Sequence, residues 1–270
     1  MDHAKLAINH LVVTGAALKV FEQPLNERVR ACLRLEHLFS RSDYYSGSDN
    51  AEGSLCAILM LLEIGEVLGR IDLKRELMKE LERQSGNLQR LLDSPGIDQQ
   101  MLRRLLDRQK ALIDGLHEIK GQPGAHLKNH ELLAAVKQRA AIPGGLCDFD
   151  IAPLHYWLKR PADDRHQDLE DWIMPFEVIR ESNALILELI RNSVSPLRVV
   201  AENGFLQQSM DPGAPLQMLR VRLEPGTDCY PEISAGKHRF SVRFMRLDPR
   251  NGHPLQVDQD IPFQLSTCQL

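Results

Sequence analysis

The pattern of apolar residues changes near residue 195 and divides the chain into two parts. Upstream, apolar residues recur every three or four positions, which is the spacing of one helix face. Downstream, short alternating segments are separated by turns that contain Pro and Gly, which is typical of consecutive antiparallel strands. We therefore predict an α+β protein, with a mostly α-helical domain at 21–195 and an antiparallel β domain at 196–270. The candidate strands are 197–203, 216–223, 237–247 and 259–266.

Two long helices joined by a tight turn are the clearest element of the helical part. The apolar face of the first is marked by Leu73, Leu77, Leu81, Leu88 and Leu92. The second repeats Leu102, Leu105, Gln109, Leu112 and Leu116, close to a heptad. The sequence "DSPGID" at 93–98 separates the two helices, and Asp98 is placed to cap the second. This pattern predicts an antiparallel helical hairpin.

Composition places the chain among globular proteins and limits its partners. Its 270 residues are 43% hydrophobic and 26% charged, with a formal net charge of -4. An acidic balance argues against general nucleic-acid binding, which usually needs a basic face. No apolar run reaches the ~20 residues of a membrane helix. Five scattered cysteines without a C-x-x-C pair favour a reducing compartment. We interpret residues 1–20 as a disordered extension.

Signatures of catalysis and metal binding are missing or weak. The chain has no phosphate-binding glycine motif and no G-x-S-x-G motif for a nucleophilic serine. The histidines of "HLKNH" at 126–130 lack the glutamate of H-E-x-x-H, so we interpret them as surface side chains. Asp150 is placed to cap a helix, and His155 has no evident acidic partner, which favours a core or groove-lining role. We expect no enzyme activity, no metal and no cofactor.

The segment "SAGKHRFSVRFMRLD" at 234–248 concentrates positive charge in an acidic chain. Its four cations are Lys237, Arg239, Arg243 and Arg246. Strand alternation puts the first three on one face and Phe240, Val242 and Phe244 on the other. The neighbouring candidate strand adds Arg220 and Arg222. The pattern predicts a strand with one face in the core and one cationic face.

The cationic face has two interpretations. One is a solvated outer face of an antiparallel sheet. The other is a binding face for an anion or an acidic peptide, because stacked cations repel each other unless an anion contacts them. Arginine also offers paired planar donors that match a carboxylate. Nucleic acid or another anionic ligand bound by the basic strand at 237–246 is the alternative to a peptide.

Several long blocks of the chain resemble the ZapD family of bacterial cell-division proteins. The blocks are "FEQPLNERVRACLRLEHLF" at 21–39, "LKRELMKELERQ" at 73–84 with "SPGID" at 94–98, "VKQRAAIPGGLCDFDIAPLHYWL" at 136–158 and "CYPEISAGKHRFSVRFMRLD" at 229–248. They keep the family's order from about Phe21 to near the C-terminus, so the resemblance is specific. Residues 1–20 depart from it, because the family pattern begins near Val20.

The resemblance implies a cytoplasmic, non-enzymatic protein with a helical domain and a β domain. Such proteins form symmetric homodimers at the midcell division site. They bind the C-terminal tail of the tubulin-like division protein FtsZ, crosslink and bundle its filaments, and promote assembly and cohesion of the Z-ring. No membrane and no specific nucleic acid is implied as a partner. A short strand near residues 20–22 is expected to join the sheet.

The resemblance also implies roles for individual side chains in a groove for the FtsZ tail. Arg239 and Arg243 match the family's tail-binding positions. Arg70 and His155 match further positions that face the same groove. Lys237 and Arg246 are adjacent candidates on the basic strand.

Overall fold

A computed structural model describes residues 18–70, 72–92, 94–211, 213 and 216–269. Helices dominate the chain as far as Asn192 and strands follow from Leu197, so the predicted α+β class is confirmed. Contacts between residues define two compact units. The helical unit is Ala31–Leu187, and the β unit joins the chain up to Arg30 with Glu188–Leu270.

The helices follow the predicted pattern of apolar faces and turns. They are α1 (Glu27–Ser46), α2 (Ala51–Arg70), α3 (Leu73–Gln89), α4 (Gln99–Glu118), α5 (Ala125–Lys128), α6 (Glu131–Ala140), α7 (Ala152–Leu158), α8 (Ala162–Ile173) and α9 (Glu177–Asn192). A 3₁₀ turn at Met174–Phe176 precedes α9. The units therefore divide within α1 and within α9.

The helical hairpin of α3 and α4 forms as its sequence predicts. Leu77 and Leu81 of α3 and Leu112 and Leu116 of α4 are all buried. Asp98 caps α4, because its carboxylate accepts hydrogen bonds from the backbone N–H groups of Gln100 at 3.0 Å and Met101 at 2.9 Å. The cap satisfies two of the N–H groups that have no partner inside the helix.

A buried arginine ties together three segments of the helical unit. Arg165 of α8 is only 5% exposed. Its guanidinium donates to the Ser54 hydroxyl at 3.0 Å and to the backbone carbonyls of Asp49, Leu158 and Arg160. These bonds join the start of α2, the loop before it and the connection between α7 and α8. Buried donors and acceptors are costly when unpaired, so Arg165 and its acceptors stabilise each other.

The β unit consists of antiparallel strands in two sheets. The strands are β1 (Lys19–Pro24), β2 (Leu197–Ala201), β3 (Phe205–Ser209), β4 (Leu216–Leu223), β5 (Tyr230–Ala235), β6 (Arg239–Leu247), β7 (Pro254–Gln256) and β8 (Ile261–Gln269). The first sheet has the order β1-β4-β8-β2. The second has the order β3-β6-β5, and the short β7 also pairs with β6.

Side chains from both sheets share one hydrophobic core. Phe240, Val242 and Phe244 of β6 lie in it, together with Val221 of β4 and Phe263 of β8. The rings of Phe244 and Phe263 meet edge to face, with centroids 5.0 Å apart. Because alternate residues of a strand point to opposite faces, the side chains between the buried residues of β6 point away from this core.

The strand assignments from the sequence are partly corrected. The candidate at 216–223 coincides with β4, but the basic strand begins at Arg239 rather than at residue 237. β3, β5 and β7 are absent from the strands predicted from the sequence. β3 is polar and largely exposed, so it lacks alternation, and β5 contains Pro231, a residue that is rare within strands.

The start of the chain lies partly beyond the described residues. The predicted disordered extension spans residues 1–20. Residues 1–17 lie outside the described ranges, whereas residues 18–20 are described. Lys19 and Val20 belong to β1, which pairs antiparallel with β4 in the register Phe21↔Val221. This pairing brings the N-terminal strand into the first sheet.

Candidate functional site

The cationic face of β6 forms as the alternation predicts. Arg239 and Arg243 are exposed, and half-buried Ser241 lies between them. Phe240, Val242 and Phe244 are at most 2% exposed. Within the described parts of the chain, neither arginine forms an ion pair at 4.0 Å or less. The two guanidinium groups therefore keep donors available for an external anion.

Lys237 and Arg246 lie near this face but are not part of it. Lys237 is exposed in the turn between β5 and β6, where it lines a cavity of about 470 Å³ together with Gln23 and Met210. Arg246 lies opposite Leu255 of β7. Alternation puts Arg246 on the side of Phe244, and it is exposed because it lies near the end of the strand.

The neighbouring strands add an aromatic ring and an acid beside Arg243. Its cross-strand partners are Phe205 on β3 and Glu232 on β5. The guanidinium carbon of Arg243 lies 5.7 Å from the centroid of the Phe205 ring, within the range of a cation–π contact. Phe205 is not among the residues predicted from the sequence, because nothing local in "FLQQS" indicates that this strand pairs with β6.

The arginines of β4 do not extend the cationic row, which corrects the prediction from the sequence. β4 lies in the first sheet and β6 in the second. Arg220 is ion-paired with Glu22 of β1 at 2.6 Å. Arg222 donates a hydrogen bond to the Ser266 hydroxyl at 2.9 Å. These two arginines make contacts inside the β unit, in contrast to the exposed pair on β6.

Glu22 is the acid that balances this second group of arginines. Arg191 of α9 donates to both of its carboxylate oxygens, at 2.9 and 2.7 Å. Burial acts to raise the pKa of Glu22, but the hydrogen bond and charge of Arg191, with the charge of Arg220, hold the pKa below its ordinary value. Burial and the charge of Arg220 lower the pKa of Arg222. Glu22, Arg191 and Arg220 therefore form an internal ion-pair network.

His155 has an acidic partner that the sequence did not reveal. It lies in α7 of the helical unit with 34% of its side chain exposed, and its Nδ1 is 2.6 Å from Oδ1 of Asp148. Asp148 is seven positions earlier in a loop, so no helical spacing signals the pair. Asp150, predicted as a helix cap, instead accepts a hydrogen bond from the Cys147 thiol at 3.0 Å. The residue at the cap position of α7 is Ile151.

Arg70 is the last residue of α2, and its side chain is not among the described parts of the structure. Arg70 and His155 belong to the helical unit, whereas the four cations of the basic strand belong to the β unit. The predicted groove that combines both sets of residues therefore remains a prediction.

The two histidines of "HLKNH" are packed against aromatic rings, so their interpretation as surface side chains is wrong. His126 lies 5.0 Å from the ring of Phe176, and its Nε2 is 2.9 Å from the backbone oxygen of Trp172. His130 meets the ring of Trp172 at 5.0 Å. Among the residues with described positions, no group of His, Cys, Asp and Glu side chains could hold a metal ion. None of the described helices is long and apolar enough to cross a membrane.

Comparison with known proteins identifies the family. The family model described as "ZapD: Cell division protein" matches residues 33–243. The chain belongs to the ZapD family. The curated "Cell division protein ZapD" of Nitrosomonas eutropha is 40% identical over 253 residues, which cover 93% of this chain and 99% of that protein. Membership in the ZapD family gives the chain a role in cell division. The matched range includes Arg239 and Arg243 and ends before Arg246.

Proposed function

We propose that this protein binds the acidic C-terminal tail of FtsZ through the outer face of β6 and bundles FtsZ filaments as a homodimer. In this role it promotes Z-ring assembly and cohesion in the cytoplasm at midcell, without catalysis. The observation that carries the proposal is the pair of exposed arginines, Arg239 and Arg243, on one face of a strand whose other face is in the core. Membership in a cell-division family supports the choice of partner.

The chemistry of arginine supports an acidic peptide as the ligand. A guanidinium presents planar donors that match the two oxygens of a carboxylate, and such bonds are stronger than those between neutral groups. The core residues behind Arg239 and Arg243 fix the strand, so little order must be gained at the arginine backbones on binding. His155, Arg70, Lys237 and Arg246 remain proposed partner-binding residues.

Filament bundling requires more than one binding face. A single chain with a single face can hold a single filament, so crosslinking needs at least two chains. A two-fold homodimer is the commonest arrangement that supplies them. Two linked faces also raise the effective affinity for a filament, so each face can bind its tail weakly.

A second candidate ligand is single-stranded nucleic acid. The Phe205 ring beside Arg243 resembles the aromatic platforms on which bases stack. The formal net charge of -4 works against this candidate, since binding to a phosphate backbone depends on neutralising several phosphates. The two ligands can be compared on the same protein.

The test compares the affinities of a labelled FtsZ tail peptide and a labelled single-stranded oligonucleotide by fluorescence anisotropy. Arg239→Ala and Arg243→Ala should weaken tail binding by up to roughly thirtyfold, or about 2 kcal/mol, as for a central interface arginine. Arg198→Ala is the matched control, because Arg198 is an exposed arginine on β2 of the other sheet. Tail binding unchanged in both β6 variants, or weaker than oligonucleotide binding, would overturn the proposal.

A further inference from the structure

On the outer face of the second sheet, the side chains of β3 lie directly opposite those of the cationic face of β6. The antiparallel register of β3 and β6 sets Phe205 opposite Arg243 and Ser209 opposite Arg239, and the middle rung is Gln207 opposite Ser241. Directly opposed residues on antiparallel strands point to the same face. This face therefore has an aromatic and cationic end, an uncharged polar centre and a cationic end.

The two arginines of this face have different surroundings. Arg243 has the Phe205 ring on one side and Glu232 across from it on β5. Arg239 faces Ser209 on β3, and β5 pairs with β6 only from Phe240 onward. Arg243 therefore has an acidic residue directly opposite it on a neighbouring strand, and Arg239 does not. Phe205 is 36% exposed, so its ring is accessible to an apolar side chain of a ligand.

The spacing of the arginines selects the conformation of a ligand that contacts both. Arg239 and Arg243 are four positions apart on a strand, which corresponds to about 13 Å at the usual rise of ~3.3 Å per residue. An extended peptide has the same rise and presents residues i and i+4 on one side. In a helix, about 13 Å corresponds to roughly nine residues, or two and a half turns, so the second carboxylate would point to the opposite side.

We propose that this face recognises an extended acidic peptide whose carboxylates are at positions i and i+4, with an apolar side chain on the same side of the peptide, two positions beyond the carboxylate that meets Arg243. The carboxylates pair with Arg239 and Arg243, and the apolar side chain packs on the Phe205 ring. Phe205 is then a specificity-determining residue. It favours ligands with an apolar side chain at this position, which the arginines alone would not distinguish from ligands with another side chain there. The inference rests on the proposed function of the same face and adds the spacing and composition of the bound segment.

The experiment uses short fluorescein-labelled Ser/Thr peptides that carry two Asp residues at i and i+2, i and i+3 or i and i+4. Each is made with Leu or with Ala two positions outside the Asp pair at both ends, because these positions lie on the same side of an extended peptide as the neighbouring Asp. The i and i+4 peptide should bind the full chain about fivefold more tightly than the others, since it alone engages both arginines. Arg239→Ala should abolish this preference for spacing.

The role of Phe205 is measured with the Leu and Ala versions of the i and i+4 peptide. Wild type should prefer Leu by about threefold, and Phe205→Ala should bind the two versions equally. Val200→Ala is the matched control, because Val200 is an apolar residue, 48% exposed, on the outer face of the other sheet. It should keep the preference for Leu. Melting temperatures of the variants establish that each is folded.

The outcomes separate the inference from the proposed function. If Arg239→Ala and Arg243→Ala weaken binding, but all spacings bind alike and Phe205→Ala still prefers Leu, the inference is overturned and the proposed function stands. If both arginine variants bind every peptide as wild type does, the face is not a site for acidic peptides and both proposals are overturned.

Discussion

Glu22 on β1 lies 2.6 Å from Arg220 on β4, the strand with which β1 pairs. The same carboxylate accepts hydrogen bonds from Arg191, so one acid holds two guanidinium groups inside the β unit. Side-chain exposures of 15% for Glu22 and 14% for Arg220 show that the pair is mostly removed from water. The arginines of residues 220–243 are thus divided. Arg220 belongs to an internal network, whereas Arg239 and Arg243 lie on the exposed face of β6.

The first prediction concerns the stability that Glu22 contributes. Glu22→Gln keeps the shape of the side chain but removes its charge. We expect the free energy of unfolding to fall by about 1.5–3 kcal/mol, the range for hydrogen bonds to charged groups. Urea denaturation followed by circular dichroism measures the change. Glu232→Gln is the control, because Glu232 is an exposed acid on β5, and equal stability of the two variants would contradict the assignment.

The second prediction is the pH dependence of that contribution. The folded pKa of Glu22 lies below its ordinary value of 4.5, so the folded state favours the charged carboxylate. Stability from this group is therefore fully present above pH 4.5 and is lost as the pH falls through the lowered folded pKa. The difference in unfolding free energy between wild type and Glu22→Gln should shrink in acid. A difference that grows as the pH falls is the opposite sign and would rule out the network as described.

The third prediction concerns charge reversal on the cationic face. Arg243→Glu should reduce tail binding and filament bundling more than Arg243→Ala does, because the new carboxylate repels an acidic peptide. Raising the salt concentration should weaken wild-type binding, since exposed charges are screened over about 10 Å at 0.1 M salt. Sedimentation of FtsZ filaments and peptide anisotropy measure the two effects. Arg198→Glu on β2 controls for the change in net charge, and an equal loss in that variant would show a non-specific effect.

The fourth prediction separates the two faces of β6. Phe240 is 2% exposed in the core shared by the two sheets. Phe240→Ala should lower the unfolding free energy by about 3–5 kcal/mol, the usual cost of removing a buried ring. Phe205→Ala removes the same group from the outer face and should cost only about 1 kcal/mol. Thermal denaturation compares them, and similar losses in both variants would contradict the assignment of faces.

The fifth prediction tests the buried arginine of the helical unit. Arg165→Met fills similar space but leaves the carbonyls of Asp49, Leu158 and Arg160 without their donor. We expect a loss of at least about 3 kcal/mol, since each unsatisfied buried group costs about 1–3 kcal/mol. Arg103→Met on exposed α4 surface is the control and should change stability by less than about 0.5 kcal/mol. A loss no larger than the control's would mean that water satisfies these carbonyls.

Features with a local period could be predicted from the sequence. The leucines of α3 and α4 repeat at helical spacing, and Asp98 directly precedes the helix that it caps. Phe240, Val242 and Phe244 alternate with Ser241 and Arg243, so both faces of β6 could be assigned without knowledge of its neighbours. In each case the physical signal is a repeat of a few residues along one segment, which needs no distant contact to be visible.

Pairing between distant segments had no such signal. β4 and β6 follow one another as candidate strands, yet they lie in different sheets, so Arg220 pairs with Glu22 instead of joining Arg239. Phe205 reaches Arg243 only because β3 pairs with β6. Hydrogen-bond ladders form between backbones and are largely insensitive to side-chain identity. The choice of neighbouring strand is made when two sheets bury one common core, and that choice separates the internal arginines from the exposed ones.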